Sequence, residues 1–215
     1  MGGPVPIAAP PSDHALSLAG VDLVGLPPPV VRAEAAREVV VVLSRSRDPE
    51  REIFLERCRE DRVPVVVRPS GGGAVVLAPG VVAASALLEV SESDRFPDPH
   101  FRRLCGAVAE ALAACGAPGL EMRGISDLVL GDRKVAGSSL RLWRARLLFQ
   151  VSVLVDADTS LLERYLRDPS RAPEYRRGRP HRAFVATLRE AGFPVTVPAV
   201  VAALSQRLRL VASAC

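Results

Sequence analysis

Apolar residues follow two rhythms along this chain. Continuous β-branched runs bounded by proline, glycine or charge read as buried strands, namely Val39 to Leu43, Val63 to Arg68 and Leu147 to Val155. Val30 to Ala33 is a shorter candidate, and Ala74 to Leu77 with Val81 to Val90 read as antiparallel strands around Ala78-Pro79-Gly80. Four strands are expected further on: Leu120 to Arg123, Asp127 to Leu130, Lys134 to Ser139 and Arg146 to Asp156. Gly131-Asp132 suits a tight hairpin between the second and third of these. The last is the most apolar and is expected at the centre of a sheet.

Helical spacing appears from Pro97 to Cys115, where Leu104, Val108, Ala111, Leu112 and Cys115 share one face. Asp48-Pro49 supplies an N-cap and a proline at the first helical position, with Glu50 and Glu52 near the positive end of the helix dipole. One helix is expected there, with Ile53, Phe54, Leu55 and Cys58 as its apolar face. Ser12-Asp13 caps a short helix through Ala19 that Pro27-Pro28-Pro29 brings to an end. Leu161 to Arg167 reads as a brief helix, Asp168 to Pro180 as a Pro/Arg-rich loop, and His181 to Ala191 and Pro198 to Ala214 as closing helices. Residues 1–12, with four prolines, read as a disordered lead-in. Residues 13–215 read as a single domain of the α+β class, a mixed, mostly antiparallel sheet with helices packed on it.

Composition narrows the function classes. The 215 residues are 48% hydrophobic and only 4% aromatic, so the core is aliphatic. A net charge of +4 is too small and too dispersed for a nucleic-acid-binding face. No apolar run approaches the length of a membrane span, and the N-terminus lacks the basic start of a secretory signal. Cys58, Cys105, Cys115 and Cys215 show neither CxxC pairing nor metal-ligand spacing, which fits a reduced, cytoplasmic protein without a metal site of its own.

Two segments carry the candidate chemistry. In Arg68-Pro-Ser-Gly-Gly-Gly-Ala-Val-Val76, three glycines follow one strand and precede another, as where a backbone must turn or approach a ligand closely. An ordinary strand-to-strand loop accounts for that stretch equally well when it is taken alone. It is neither a P-loop nor a dinucleotide fingerprint. The second segment, Ser126-Asp127 to Ser139, holds Lys134, the only lysine among 28 basic residues. A chain that uses arginine everywhere else has a reason to keep one compact, movable ammonium, although a solvated turn lysine is the plainer reading of that residue by itself. His14 and His100 read as surface or capping residues, His181 as structural, and Asp156 and Asp158 as turn residues rather than metal ligands. The arginines from Arg167 to Arg182 read as a solvated loop or, alternatively, as a dock for an acidic partner.

In this order, about sixty residues apart, the two segments resemble the lipoate–protein ligase A family of the biotin/lipoate ligase superfamily. Arg68-Pro-Ser-Gly-Gly-Gly-Ala-Val75 resembles its glycine loop, and Ser126-Asp127 with Arg133-Lys134-Val-Ala-Gly-Ser-Ser139 resembles its lysine segment. The flanks Val40 to Pro49, Glu56 to Glu60 and Leu166 to Phe184 are similar to the family as well. The resemblance implies a class II ligase-like catalytic domain that activates lipoate or octanoate with ATP. The acyl group then passes to a lysine of a lipoyl-domain or H-protein-like acidic carrier, with Mg2+ carried on the nucleotide phosphates. It further implies that Lys134 is catalytic. The acyl-adenylate would be held by Arg68, Ser70, Gly71, Gly72, Gly73, Ala74, Val75, Val76, Asp127, Lys134, Gly137 and Ser138. Arg68 would grip phosphate oxygens, Lys134 would face the reacting carboxylate, and Asp127 would orient the incoming amine or the nucleotide.

The chain departs from the family pattern at several points. Val76-Leu77-Ala78-Pro79-Gly80 stands where family members carry an aromatic, a His and an Asp, and Ser126 replaces an Asn. No C-terminal accessory domain is expected before Cys215, which implies either a separate accessory subunit or the transfer half-reaction alone. Carrier-to-carrier octanoyl transfer without ATP is therefore the competing enzyme, and biotin a further substrate. A non-catalytic member that binds an acyl ligand or a lipoyl domain is the reading from another class.

Overall fold

The computed structural model describes residues 9–91 and 93–213. Most of the lead-in, Ala214 at the end of the last expected helix and Cys215 lie outside the described residues. The chain opens with helix α1 (Asp13–Leu18), capped by Ser12, whose hydroxyl accepts the Ala15 N–H at 3.0 Å. Strands β1 (Val30–Ala35) and β2 (Val40–Ser44) follow. The helix expected from Asp48 is two short ones, α2 (Pro49–Glu52) and α3 (Leu55–Glu60). Between them Ile53 is extended and bridges Leu166, while Phe54 N–H donates to Tyr165 O and Arg167 N–H to Glu52 O, both at 2.9 Å. Pairing with a distant segment outweighs local helical preference at these two residues.

Strands β3 (Val65–Arg68), β4 (Val75–Leu77) and β5 (Val81–Glu89) come next. Helix α4 (Pro97–Ala114) then leads into β6 (Glu121–Arg123), β7 (Asp127–Leu130), β8 (Arg133–Trp143) and β9 (Arg146–Leu154). The last elements are α5 (Ser160–Tyr165), α6 (His181–Phe184) and α7 (Val197–Ser213). Two sheets result, one six-stranded in the order β1-β5-β9-β8-β7-β6 and one three-stranded in the order β3-β2-β4. The large sheet is antiparallel throughout, and in the small one β2 pairs β3 in parallel and β4 antiparallel. The apolar β9 is interior, as its composition implies. By contrast β4 and β5 do not form the expected hairpin: the Ala78-Pro79-Gly80 turn hands the chain from the small sheet to the large one.

The layers follow from which side each apolar run presents. Val82, Ala84, Ala86 and Leu88 of β5, with Phe149, Val151 and Val153 of β9, pack against Leu104, Val108 and Leu112 of α4 and Leu204 and Leu208 of α7. On the opposite face Val81 and Ala83 meet Ala15 and Leu18 of α1 and Val40, Val42, Val66 and Leu77 of the small sheet. The outer face of the small sheet, through Val41, Val65 and Val76, is covered by Leu55 and Cys58 of α3 and Tyr165 of α5.

Helices α3 and α5 are also tied by charge. Asp61, just beyond α3, accepts from Arg164 Nε and Nη2 at 2.5 and 2.7 Å and from Tyr165 Oη at 2.7 Å. The Arg164 hydrogen bonds, then that of Tyr165, hold the Asp61 carboxyl down to about 2. A carboxyl depressed in the folded state adds stability above its unfolded value near 4 and loses it as pH falls through the folded one. Asp61→Asn is therefore expected to lower the urea midpoint at pH 6, with the gap to wild type narrowing as pH falls from about 4 toward 2. A gap independent of pH across that range would remove charge from the tie.

Candidate active site

The loop between β3 and β4 crosses the C-terminal end of β2, where Ser44 Oγ donates to Ser70 O at 3.0 Å. Two arginines hold its glycine carbonyls. Arg68 Nη2 donates to Gly71 O at 2.7 Å and Gly73 O at 2.8 Å, and Arg47 Nε donates to Gly72 O at 3.0 Å. Gly72 has φ of +97°, and a Cβ there would lie 2.8 Å from Arg68 Nη2, so glycine is required both by backbone conformation and by the guanidinium packed against it. With the carbonyls occupied, the N–H groups of Gly71, Gly72, Gly73 and Ala74 donate to no protein acceptor among the described residues. Successive unspent amides of this kind form an anion-binding concavity.

Arg68 thus has a different task from the one anticipated. It is 6% exposed, its Nε also reaches Ser70 Oγ at 3.1 Å, and its donors brace the loop instead of standing free for phosphate. Burial pushes the guanidinium down to about 10, so it stays charged at neutral pH. Ser70 is fully buried and ties the loop to the large sheet. Its hydroxyl donates to Gln150 Oε1 at 2.6 Å and lies 2.9 Å from Ser139 Oγ. Gln150 Nε2 in turn donates to Ala19 O at 2.7 Å.

Lys134 reaches the same place from the other sheet. In the β7–β8 ladder Leu128 pairs Ala136 but Val129 pairs Lys134, so Val135 is an extra residue, a bulge on β8. The bulge replaces the usual spacing of two with three and sets Lys134 and Gly137 side by side, with Asp127 opposite Gly137. Lys134 Nζ lies 2.6 Å from Asp127 Oδ1. A Cβ on Gly137 would come 2.6 Å from that Nζ and 2.7 Å from Cε, so the bare glycine provides the groove for the lysine. Residues after α6 fix the strand start: Ala186 N–H donates to Lys134 O at 2.8 Å and Arg133 Nη2 to Val185 O at 2.6 Å. This pairing explains why the expected helix to Ala191 stops at Phe184.

Both segments line one cavity of about 1000 Å3. Arg68, Gly71, Gly72, Gly73, Ala74, Val75, Val76, Asp127, Lys134, Gly137 and Ser138 all border it. Ser70 lies behind the wall, and the Ser138 hydroxyl turns to Ser126 O at 2.9 Å and Cys105 Sγ at 3.3 Å. Leu18, Ala19, Val42, Leu77 and Leu154 give the cavity an apolar side. Leu77 and Ala78 are each 2% exposed and place no titratable group there.

Several residues were not singled out in advance. Gln150 was visible as the one amide in an apolar run, and Ser139 as the end of the lysine segment. Glu52, read as a helix-start acid, is 3% exposed in the cavity wall and accepts from the Ser170 hydroxyl. His181 also lines the cavity, and burial, then Arg176, lowers its pKa. His100 is buried, not at the surface, with Nε2 3.1 Å from Asp94 O. Nor is the arginine-rich stretch a solvated loop throughout. Arg176 is 4% exposed, and Arg179 Nη1 holds Asp132 Oδ2 of the β7–β8 turn at 2.6 Å.

The chain is similar to known proteins over most of its length. A family model, the lipoyl protein ligase A/B catalytic domain, matches residues 25–209. The chain is 34% identical over 135 residues to a lipoate–protein ligase of Streptococcus pyogenes, covering 63% of this chain and spanning 39% of that relative. A lipoate-protein ligase A structure bound with ATP superposes with a TM-score of 0.75 at 22% identity, covering 94% of this chain and 82% of that one. A bi-partite lipoate protein ligase of Thermoplasma acidophilum, described with its E2 lipoyl domain, gives 0.76 at 21% identity, covering 94% and 80%.

Only the flexible end of Lys134 must move to admit a methyl group at position 137. Gly137→Ala is accordingly expected to fold with a thermal midpoint within about 2 °C of wild type. The single lysine should then be acetylated severalfold faster by acetic anhydride, read by mass spectrometry. An unchanged rate would show that Gly137 does not hold the lysine in place.

Proposed function

The chain belongs to the lipoyl protein ligase A/B catalytic-domain family, and from that membership we propose that it is an ATP-dependent lipoate (or octanoate) protein ligase. The observation that carries the reading is the convergence, on one cavity, of four unspent loop amides and the only lysine of the chain. In the first step a carboxylate oxygen of the acid attacks the α-phosphorus of ATP, and pyrophosphate leaves. In the second the amine of a carrier lysine attacks the acyl carbon, the amide bond forms and AMP departs. Charge develops on oxygens between carboxylate and phosphate in both steps, and Lys134 is the cation that reaches them.

The residues divide the work. The amides of Gly71 to Ala74 meet phosphate oxygens, while Arg68 and Arg47 keep the loop carbonyls turned away. Asp127 holds the ammonium until substrate arrives, and the apolar side of the cavity takes the aliphatic tail. Among the described residues no group of three or more His, Cys, Asp or Glu side chains could hold an ion. A Mg2+ delivered on the nucleotide would meet the carboxylates that border the cavity, Glu52 beside the glycine loop and Asp127 beside Lys134.

The partner in this reading is a lipoyl-domain or H-protein-like acidic carrier, met by the exposed Arg171, Arg177 and Arg182. It is supported by the Thermoplasma relative described with its lipoyl domain, and that relative's bi-partite build is the reason to look for a separate accessory subunit. Cys58, Cys105 and Cys115 are unpaired, which suits the cytoplasm, and among the described residues no helix is long and apolar enough to cross a membrane. ATP-independent octanoyl transfer is the second reading. The buried, uncharged Leu77 and Ala78 instead favour a non-catalytic member that binds an acyl ligand or a lipoyl domain, since they stand where the family pattern has a His and an Asp.

Lipoate-dependent exchange of labelled pyrophosphate into ATP is expected from wild type, and its absence in folded protein would point to the transferase. Lys134→Ala should lower the exchange rate by about 100- to 1000-fold, the usual cost of a lost transition-state contact. Lys134→Arg should recover little, because a planar guanidinium does not fit the groove over Gly137. Near-normal exchange by Lys134→Ala would return this lysine to the surface.

A further inference from the structure

Beside the Lys134–Asp127 pair stands a side chain that the two chemical steps do not touch. Tyr175 lies in the 3-10 turn Glu174–Arg176 of the arginine-rich strap and donates its hydroxyl to Asp127 Oδ2 at 2.8 Å, while Lys134 holds Oδ1 at 2.6 Å. Asp127 and Lys134 border the cavity and Tyr175 does not, so any effect of Tyr175 on substrate passes through the carboxylate. The ring is fixed on two sides. Phe184 packs on it with centroids 5.2 Å apart, and Gly124 lies beside it, where a Cβ would be in ordinary contact at 3.5 Å from Tyr175 Cε1. Its backbone is held too, by Arg179 Nη2 donating to Tyr175 O at 3.1 Å. Burial, then the charge of Asp127, pushes the phenol well above its ordinary range, so it remains a donor at any working pH.

A carboxylate held at one oxygen can swing about its broad terminal torsion, and a lysine stem has four rotatable carbons that draw the ammonium toward water. Lys134 is partly open to solvent, and among the described residues only Asp127 forms an ion pair with it. We infer that Tyr175 is a positioning residue: by holding Oδ2 it fixes the Asp127 carboxylate so that Oδ1 keeps the Lys134 ammonium over Gly137, facing the glycine loop. The inference rests on the ligase reading for its place in the reaction and on geometry alone for the contact itself.

Because Lys134 is the only lysine, protein labelled with 15Nζ-lysine gives one side-chain ammonium resonance whether or not it turns over. Tyr175→Phe is expected to speed proton exchange at that ammonium about tenfold, the lower end of what a hydrogen bond to a charged group is worth. Its resonance should move toward that of Asp127→Ala. In an Asp127→Ala background the same substitution should change nothing, since the coupling runs through the carboxylate. Asp132→Ala loosens the same strap by freeing Arg179 Nη1 while Arg179 Nη2 stays on Tyr175 O, and should leave the resonance in place.

In the exchange assay Tyr175→Phe should lower kcat about tenfold with the KM for ATP unchanged, again only when Asp127 is present. An unaltered ammonium in Tyr175→Phe would overturn the inference. So would an equal change in Asp132→Ala or in the Asp127→Ala background. A wild type without lipoate-dependent exchange would sink the ligase reading instead, and the ammonium measurement would still decide the role of Tyr175.

Discussion

The hydrogen bonds around Ser70 join two sheets that otherwise touch through aliphatic side chains. The small sheet carries the glycine loop and the large one carries Lys134, while the β1–β2 and β4–β5 connections that join the sheets lie at the opposite end of the small sheet from that loop. Ser70 donates to Gln150 on β9, stands against Ser139 on β8 and accepts from Arg68 in its own loop. All four side chains are nearly inaccessible to water, so each would cost stability if left unpaired. Gln150 spends its amide nitrogen on Ala19 O at the end of α1, which completes the accounting. A fully satisfied polar junction in an apolar seam permits one register between the sheets, where aliphatic contacts alone would tolerate several.

That junction explains a division of labour between the two kinds of cation. Arg47 and Arg68 use planar guanidinium forks to fix three loop carbonyls, a task for a rigid, permanently charged group. Arg176 and Arg179 stack over Phe184 and brace the strap above the β7–β8 turn. In the proposed reaction the remaining job needs a compact charge that can leave Asp127 for a substrate oxygen and return, and the single lysine is the residue we propose for it. The bulge at Val135, the bare Gly137 and the Asp127 carboxylate are the local means by which one strand presents that lysine.

Much of this was legible from residue order. The β-branched runs became strands, Asp48-Pro49 began a helix, Gly131-Asp132 made its hairpin, and the two motif segments met at one cavity. What stayed hidden was set by distant partners. Ile53 left its helix to bridge Leu166, residues after Phe184 turned aside to pair with the start of β8, and β4 and β5 went to different sheets. No local pattern announces a single-residue bulge, so the face on which Lys134 lies could not be read from strand alternation. Arg68 was legible as a site residue but not in its role, because nothing in the sequence shows that its donors close on their own loop.

In the proposed function one cavity takes an acyl chain joined to AMP, with the loop amides and Lys134 meeting at the junction. Calorimetric titration with a non-hydrolysable sulfamoyl analogue of lipoyl-AMP tests this directly. One equivalent should bind wild type far more tightly than lipoate alone, with a matching rise in thermal midpoint as the ligand selects the folded state. Folded protein that takes up neither heat nor stabilisation from a saturating excess of the analogue would contradict the account.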